Sequence, residues 1–124
     1  MRRPKVFFIG FNKTATCAVH ELFLKNEYNS VHHRDNLALS MQKNIINKND
    51  ILTNLDKAAE VYSDLSYCTA NKVVEGSIYY EQLHNDYPNA YFILQYRPLD
   101  HWIESRLNHQ DFARRYQKAL KLTQ

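Results

Sequence analysis

Short apolar runs alternate with polar, turn-forming stretches along the 124 residues, and the spacing within each run assigns its element. Val6 to Ile9 is brief, β-branched or aromatic and followed at once by Gly10, the pattern of a buried strand that ends in a turn. Val19, Leu22 and Phe23 then recur at helical spacing. Ser30 to His33 predicts a short second strand, and Asp35 is placed to cap a helix with Leu37, Met41 and Ile45 on one face. Asn47 to Asn54 is polar and turn-like, after which Val61 and Tyr62 predict a brief third strand ending at Ser63 and Asp64. Ser77 is positioned to cap a helix bearing Tyr80, Leu83 and Tyr87, which Pro88 stops because it has no N–H to continue the ladder. Ala90 to Tyr96 predicts another strong strand. It runs into Arg97-Pro98-Leu99-Asp100, where Pro98 suits the first turn of a helix whose buried stripe is Leu99, Trp102, Ile103 and Leu107. A last helix is expected from Asp111, burying Phe112, Tyr116 and Leu120.

Strands that alternate with helices imply an α/β fold, a three-layer arrangement around a parallel sheet with ligands at the carboxyl ends of the strands. The length suits one domain over residues 1–124, large enough for a core but small for an enzyme holding a nucleotide and a second substrate, so a minimal or truncated catalytic domain is the expectation. A hydrophobic content of 44% is that of a globular chain, and no segment is biased enough to read as disordered or repetitive.

A formal charge of +3 suits a small polyanionic ligand better than a nucleic-acid backbone, and no nucleic-acid partner is expected. The basic residues Arg2, Arg3 and Lys5, and again Arg114, Arg115, Lys118 and Lys121, read as a solvated tail and a solvated helix face. Cys17 and Cys68 form no disulfide framework and have no CxxC spacing, which fits a reducing, cytoplasmic compartment. The apolar stretch after Arg2-Arg3-Pro4-Lys5 is too short for a signal segment or a membrane span, so no membrane association is expected.

The chemistry concentrates in Gly10-Phe11-Asn12-Lys13-Thr14-Ala15-Thr16-Cys17, which nearly spells a phosphate-binding P-loop and holds one of the two glycines in the chain. It lies between the first strand and the first helix. Free N–H groups at a helix N-terminus, with the positive end of the dipole and the charge of Lys13, favour a phosphate-like or sulfate-like group. A Walker A loop has a glycine before its lysine; here Asn12 stands there, and the loop is two residues shorter.

The string resembles the 5'-phosphosulfate loop of the sulfotransferases that use 3'-phosphoadenosine-5'-phosphosulfate (PAPS), usually Gly-x-x-Lys-Thr-Gly-Thr followed by Ser or Thr. Gly10, Lys13, Thr14 and Thr16 match; Ala15 replaces the central glycine and Cys17 the last hydroxyl residue. In that family an arginine ends a later strand, and a serine eight positions on joins it at the cofactor's 3'-phosphate. Arg97 and Ser105 have that spacing. Tyr87 to Leu94, Trp102 and Arg106 to His109 also look like the family, with a looser match through His32, His33 and Ser63-Asp64. The family's late glycine-rich basic loop has no counterpart before Gln124.

The resemblance implies a P-loop nucleoside triphosphate hydrolase-like fold that binds PAPS through Gly10, Asn12, Lys13, Thr14, Ala15, Thr16, Cys17, Arg97 and Ser105. It further implies in-line sulfuryl transfer to a hydroxyl or amine of a small-molecule or carbohydrate acceptor, with adenosine 3',5'-bisphosphate leaving and no metal. Lys13 would neutralise the bridging oxygen. The proton acceptor is sought in His33 and His32 at the end of the second strand, with Asp64 close behind. His20, His84 and His101 fall on helix surfaces where solvent exposure is expected. Two rivals remain: a nucleotide kinase or NTPase with Asp64 holding magnesium, and a non-catalytic nucleotide-binding remnant. Specificity is expected from loops around residues 34–60 and 65–77.

Overall fold

The computed structural model describes residues 3–10, 16–32, 37–55, 57–108 and 118, and for Thr16 and Arg106 the backbone alone. The expected helix from Asp111 and the cap at Asp35 lie outside the described residues. Four parallel strands form the central sheet: β1 (Val6–Ile9), β2 (Ser30–His32), β3 (Val61–Ser63) and, numbered in chain order, β6 (Tyr91–Leu94). Their spatial order is β2-β3-β1-β6. Helix α1 (Thr16–Lys25) links β1 to β2, and α2 (Leu37–Ile46) precedes β3. Between β3 and β6 come an antiparallel pair, β4 (Ser66–Cys68) with β5 (Val73–Glu75), a 3-10 turn over Gly76–Tyr79, and α3 (Tyr80–Asp86); α4 (Leu99–Leu107) follows β6.

Alternation along β1 divides the core in two, because successive side chains leave a strand on opposite faces. Phe7 stacks between Tyr62 and Phe92, with ring centroids 5.0 and 5.5 Å away, and joins Val31, Leu37, Met41 and Leu83 under α2 and α3. Val6 and Phe8 face the other way, with Val61 and with Val19, Phe23 and Tyr28 at and beyond α1. Helices therefore cover both faces of the sheet. Each fully buried Phe, Leu or Met contributes about 1.5–3 kcal/mol, so this double layer is the main source of stability.

Several expectations are corrected. Residues 65–77 are largely a hairpin rather than a loop: Tyr67, Val73 and Val74 favour strand, and Thr69 Oγ1 accepts from the N–H groups of Asn71 and Lys72 to close the turn. Within the polar stretch 47–54, Ile51 and Leu52 are fully buried. They are drawn in because Asn44, itself buried on α2, donates to the carbonyls of Ile51 and Thr53 at 2.8 and 2.9 Å. Lys5 is not solvated; its Nζ donates to the carbonyls of Lys57 and Ala59 and to the Tyr62 hydroxyl. Arg3 lies 4.0 Å over the Tyr28 ring and pairs with Glu60. Leu22 points to solvent, and so does the anticipated stripe on α4: Leu99 is 69% exposed and Leu107 61%, with Ile103 also exposed and Trp102 half-buried. Helical periodicity marks the face; among the described residues, β6 is the edge strand and no element beyond it covers this stripe of α4.

Candidate functional site

The strand registers align the four carboxyl ends. Ile9 pairs with Leu94 and His32 with Ser63, so Gly10, His32, Asp64 and the segment leading to Arg97 leave the sheet at one edge. The chain turns one way from β1 to β2 and the other way from β3 to β6, placing the topological switch beside β1, where open α/β sheets bind ligands.

Gly10 sits where two backbones cross. A Cβ there would lie 2.5 Å from the carbonyl oxygen of Gln95, so a side chain would force the β1 and β6 exits apart. On its other side the Ser77 hydroxyl accepts from the Gly10 N–H at 3.1 Å and donates to the Gly10 carbonyl at 2.9 Å. Ser77 is thus not a helix cap, since the 3-10 turn is preceded by Glu75 and α3 by Tyr79; it clamps the start of the loop. Gly76 makes this possible by lying so close to the Leu65 carbonyl that a Cβ would come within 2.6 Å of it. The Gly10 N–H is thereby committed to Ser77.

Asn12, Lys13, Thr14 and Ala15 lie outside the described residues, as do His33 and the Thr16 side chain. α1 begins at Thr16, as the loop-to-helix reading requires. Cys17 is exposed on its first turn. Arg97 is exposed two residues beyond Gln95, and Ser105 is half-buried on the second turn of α4. The loop start and the arginine-bearing segment are therefore neighbours in space despite a separation of more than eighty residues.

On the other flank of β1, His32 gathers a polar cluster. Its Nδ1 lies 3.0 Å from the Ser63 hydroxyl, and its Nε2 lies 3.5 Å from Cys17 Sγ and 3.8 Å from Asp64 Oδ2. Asp64 holds a left-handed backbone, φ 53°, and its Oδ1 accepts from the Ser66 hydroxyl at 2.7 Å, which fixes the carboxylate. His20 is not a plain surface histidine. It stacks on His32 with centroids 5.3 Å apart and shares a 2.7 Å hydrogen bond with buried Ser30. His84 and His101 are exposed as expected.

The structure thus unites His32 and Asp64, two of the candidate proton acceptors, and adds Ser63, His20 and Ser77, which sequence reading did not assign to the site. The signal for His20 was its place one turn after Thr16, on the side of α1 that also carries Val19 and Phe23. Ser77 gave no local signal, because its partner is 67 residues away. Among the described residues no three His, Cys, Asp or Glu side chains are arranged to hold a metal ion, and no helix is long and apolar enough to cross a membrane.

The close approach of the β1 and β6 exits at Gly10 and Gln95, with a helix starting at Thr16, marks this edge of the sheet as the candidate site. Comparison with known families agrees: the model of the family described as "Sulfotransferase domain" matches residues 5–123. No curated protein and no solved structure matches the chain.

Proposed function

We propose, because the chain belongs to the sulfotransferase-domain family, that it binds PAPS at the β1–β6 edge and transfers its sulfuryl group to a hydroxyl or amine of a small-molecule or sugar acceptor. The observation that supports this reading is the close approach of the Gly10 and Gln95 backbones, from which the chain continues in sequence to Lys13 on one side and to Arg97 on the other. A nucleotide carrying charge at both ends needs two such grips.

In this reading Lys13, Thr14 and Thr16 with the α1 N-terminus hold the 5'-phosphosulfate, and Arg97 with Ser105 holds the 3'-phosphate. Ala15 and Cys17 line the loop, with Asn12 before the lysine. PAPS supplies the activated sulfuryl group. Lys13 offsets charge developing on the bridging oxygen, and His32 takes the acceptor's proton, with His33 beside it in sequence and Asp64 as counter-charge. The same reading classes the fold with the P-loop nucleoside triphosphate hydrolases. It also puts the protein in a reducing, cytoplasmic setting, supported by two free cysteines.

Calorimetry with adenosine 3',5'-bisphosphate tests the proposal. Lys13→Ala and Arg97→Ala should each weaken binding by about 10- to 150-fold, the worth of a charge-assisted hydrogen bond. An absence of binding heat from the wild-type protein would sink the reading. Transfer of label from PAPS to a panel of acceptors should survive a chelator; loss of turnover in EDTA would favour a magnesium-dependent kinase.

A further inference from the structure

We propose that Cys17 is a site of reversible oxidation by hydrogen peroxide, with the His32 ring as the base that activates its thiol, and that the oxidised sulfur blocks the anion site at the start of α1. The second half rests on the reading of that helix start as the 5'-phosphosulfate site; the first half does not. Cys17 is exposed on the first turn of α1, with its Sγ 3.5 Å from His32 Nε2. The thiolate is the nucleophile in cysteine chemistry, and an adjacent imidazole and a helix N-terminus both favour it.

The ring is fixed from three sides. Its Nδ1 shares a 3.0 Å hydrogen bond with Ser63 Oγ, which sits opposite His32 in the β2–β3 ladder. A hydroxyl both donates and accepts, so Ser63 serves Nδ1 before and after the ring takes up a proton. His20, also on α1, stacks on the ring with centroids 5.3 Å apart, and Asp64 Oδ2 lies 3.8 Å from Nε2 as counter-charge for an imidazolium. Whichever nitrogen holds the neutral ring's proton, the imidazolium carries one on Nε2, beside the sulfur. Cys68 is the contrast within the same chain: half-buried on β4, its sulfur lies 4.0 Å from the Thr69 carbonyl oxygen, an acceptor that suits a protonated thiol.

The step balances. The sulfur of Cys17 bonds to one peroxide oxygen as the O–O bond breaks, so the sulfur is oxidised by two electrons and the peroxide reduced. The thiol proton passes through His32 Nε2 to the departing hydroxide, which leaves as water, and Cys17 becomes a sulfenic acid. The added oxygen stands at the first turn of α1, where it competes with a phosphosulfate for the helix N–H groups. A thiol reductant returns the thiol.

Hydrogen peroxide with a dione trap for sulfenic acids, read by peptide mass spectrometry, tests the first half. In the folded protein Cys17 should be trapped about tenfold faster than Cys68, and in urea the two rates should converge, because the fold makes the contrast. His32→Ala should slow trapping at Cys17 about tenfold and leave Cys68 unchanged; His32→Gln, which replaces the ring by an amide, should do the same. Equal rates in the folded protein, or a Cys17 rate that neither variant alters, overturn the proposal. Calorimetry with adenosine 3',5'-bisphosphate tests the second half. Peroxide should lower wild-type affinity about tenfold, dithiothreitol should restore it, and Cys17→Ser should be indifferent to peroxide whatever its own affinity. A trapped Cys17 with undiminished affinity rejects the block at the anion site. Selective trapping in a protein that binds no bisphosphate even before peroxide supports the thiol site and rejects the sulfotransferase reading.

Discussion

Ser77 both accepts from and donates to Gly10, so one side chain holds the point where the chain leaves β1 for the anion loop. Ser77→Ala removes two hydrogen bonds of about 1 kcal/mol each and leaves the Gly10 groups to find other partners. Its expected effect is a loss of roughly 1–2 kcal/mol in urea denaturation, with weaker binding of adenosine 3',5'-bisphosphate from a loop no longer held in register. Gly10→Ala is the harsher change. The new methyl meets backbone rather than a flexible side chain, 2.5 Å from the Gln95 oxygen, and relief requires moving β6 away from β1. Overpacking of this kind costs about 1–3 kcal/mol, and here the displacement runs along the line joining the loop to Arg97. Calorimetry should therefore show Gly10→Ala losing more affinity than stability alone explains; unchanged affinity would mean that the two segments do not share a ligand.

At the scale of elements, α3 and α4 separate pattern from packing. Leu83 on α3 is fully buried in the larger core, and Leu83→Ala should cost about 2–5 kcal/mol. Ile103 on α4 has the same periodic signature but is exposed, so Ile103→Ala should stay within about 0.5 kcal/mol. Denaturation curves of the two variants check this directly. The contrast also explains what was legible in the chain. β1, β2, β3 and β6 could be read from their runs, and α2 from Leu37, Met41 and Ile45, because period and composition are local properties. Gly10 at the end of β1 was readable for the same reason, whereas β6 stops at Leu94, three residues before Arg97, and the expected strand to Tyr96 was too long. The burial of Ile51 and Leu52, the clamp by Ser77 and the pairing of His32 with Ser63 were not. Each depends on a partner brought in by the fold, such as Asn44 for the first and Gly10 for the second, and nothing in the local sequence carries that partner's position.

The molecule as a whole divides its polar chemistry between the two ends of the sheet. At the carboxyl ends lie His32, Asp64 and the segment leading to Arg97; at the amino ends polar groups tie segments together. Lys5 Nζ spans the carbonyls of Lys57 and Ala59 and lies 5.2 and 5.6 Å from the Tyr62 and Tyr87 ring centroids. Tyr87 donates to Asp50 Oδ1 at 2.9 Å, and Asp86 accepts from the Ile51 N–H at 2.9 Å. Burial pushes the Tyr87 phenol above its ordinary pKa, and its hydrogen bond to Asp50, then the charges of Asp50 and Asp86, push it further. The unfolded chain releases that proton near pH 10 while the folded one retains it. The resulting stabilisation is therefore fully present below about pH 10 and is lost as pH rises beyond it. Tyr87→Phe should lower the melting temperature at pH 7, through a hydrogen bond worth about 1 kcal/mol, and make the alkaline decline shallower. Bisphosphate affinity at pH 7 should not change, because the variant acts at the end of the sheet opposite the crevice. Melting curves from pH 7 to 11, paired with calorimetry at pH 7, test both halves; a Tyr87→Phe protein that keeps its melting temperature but loses affinity would reverse the assignment of the two ends.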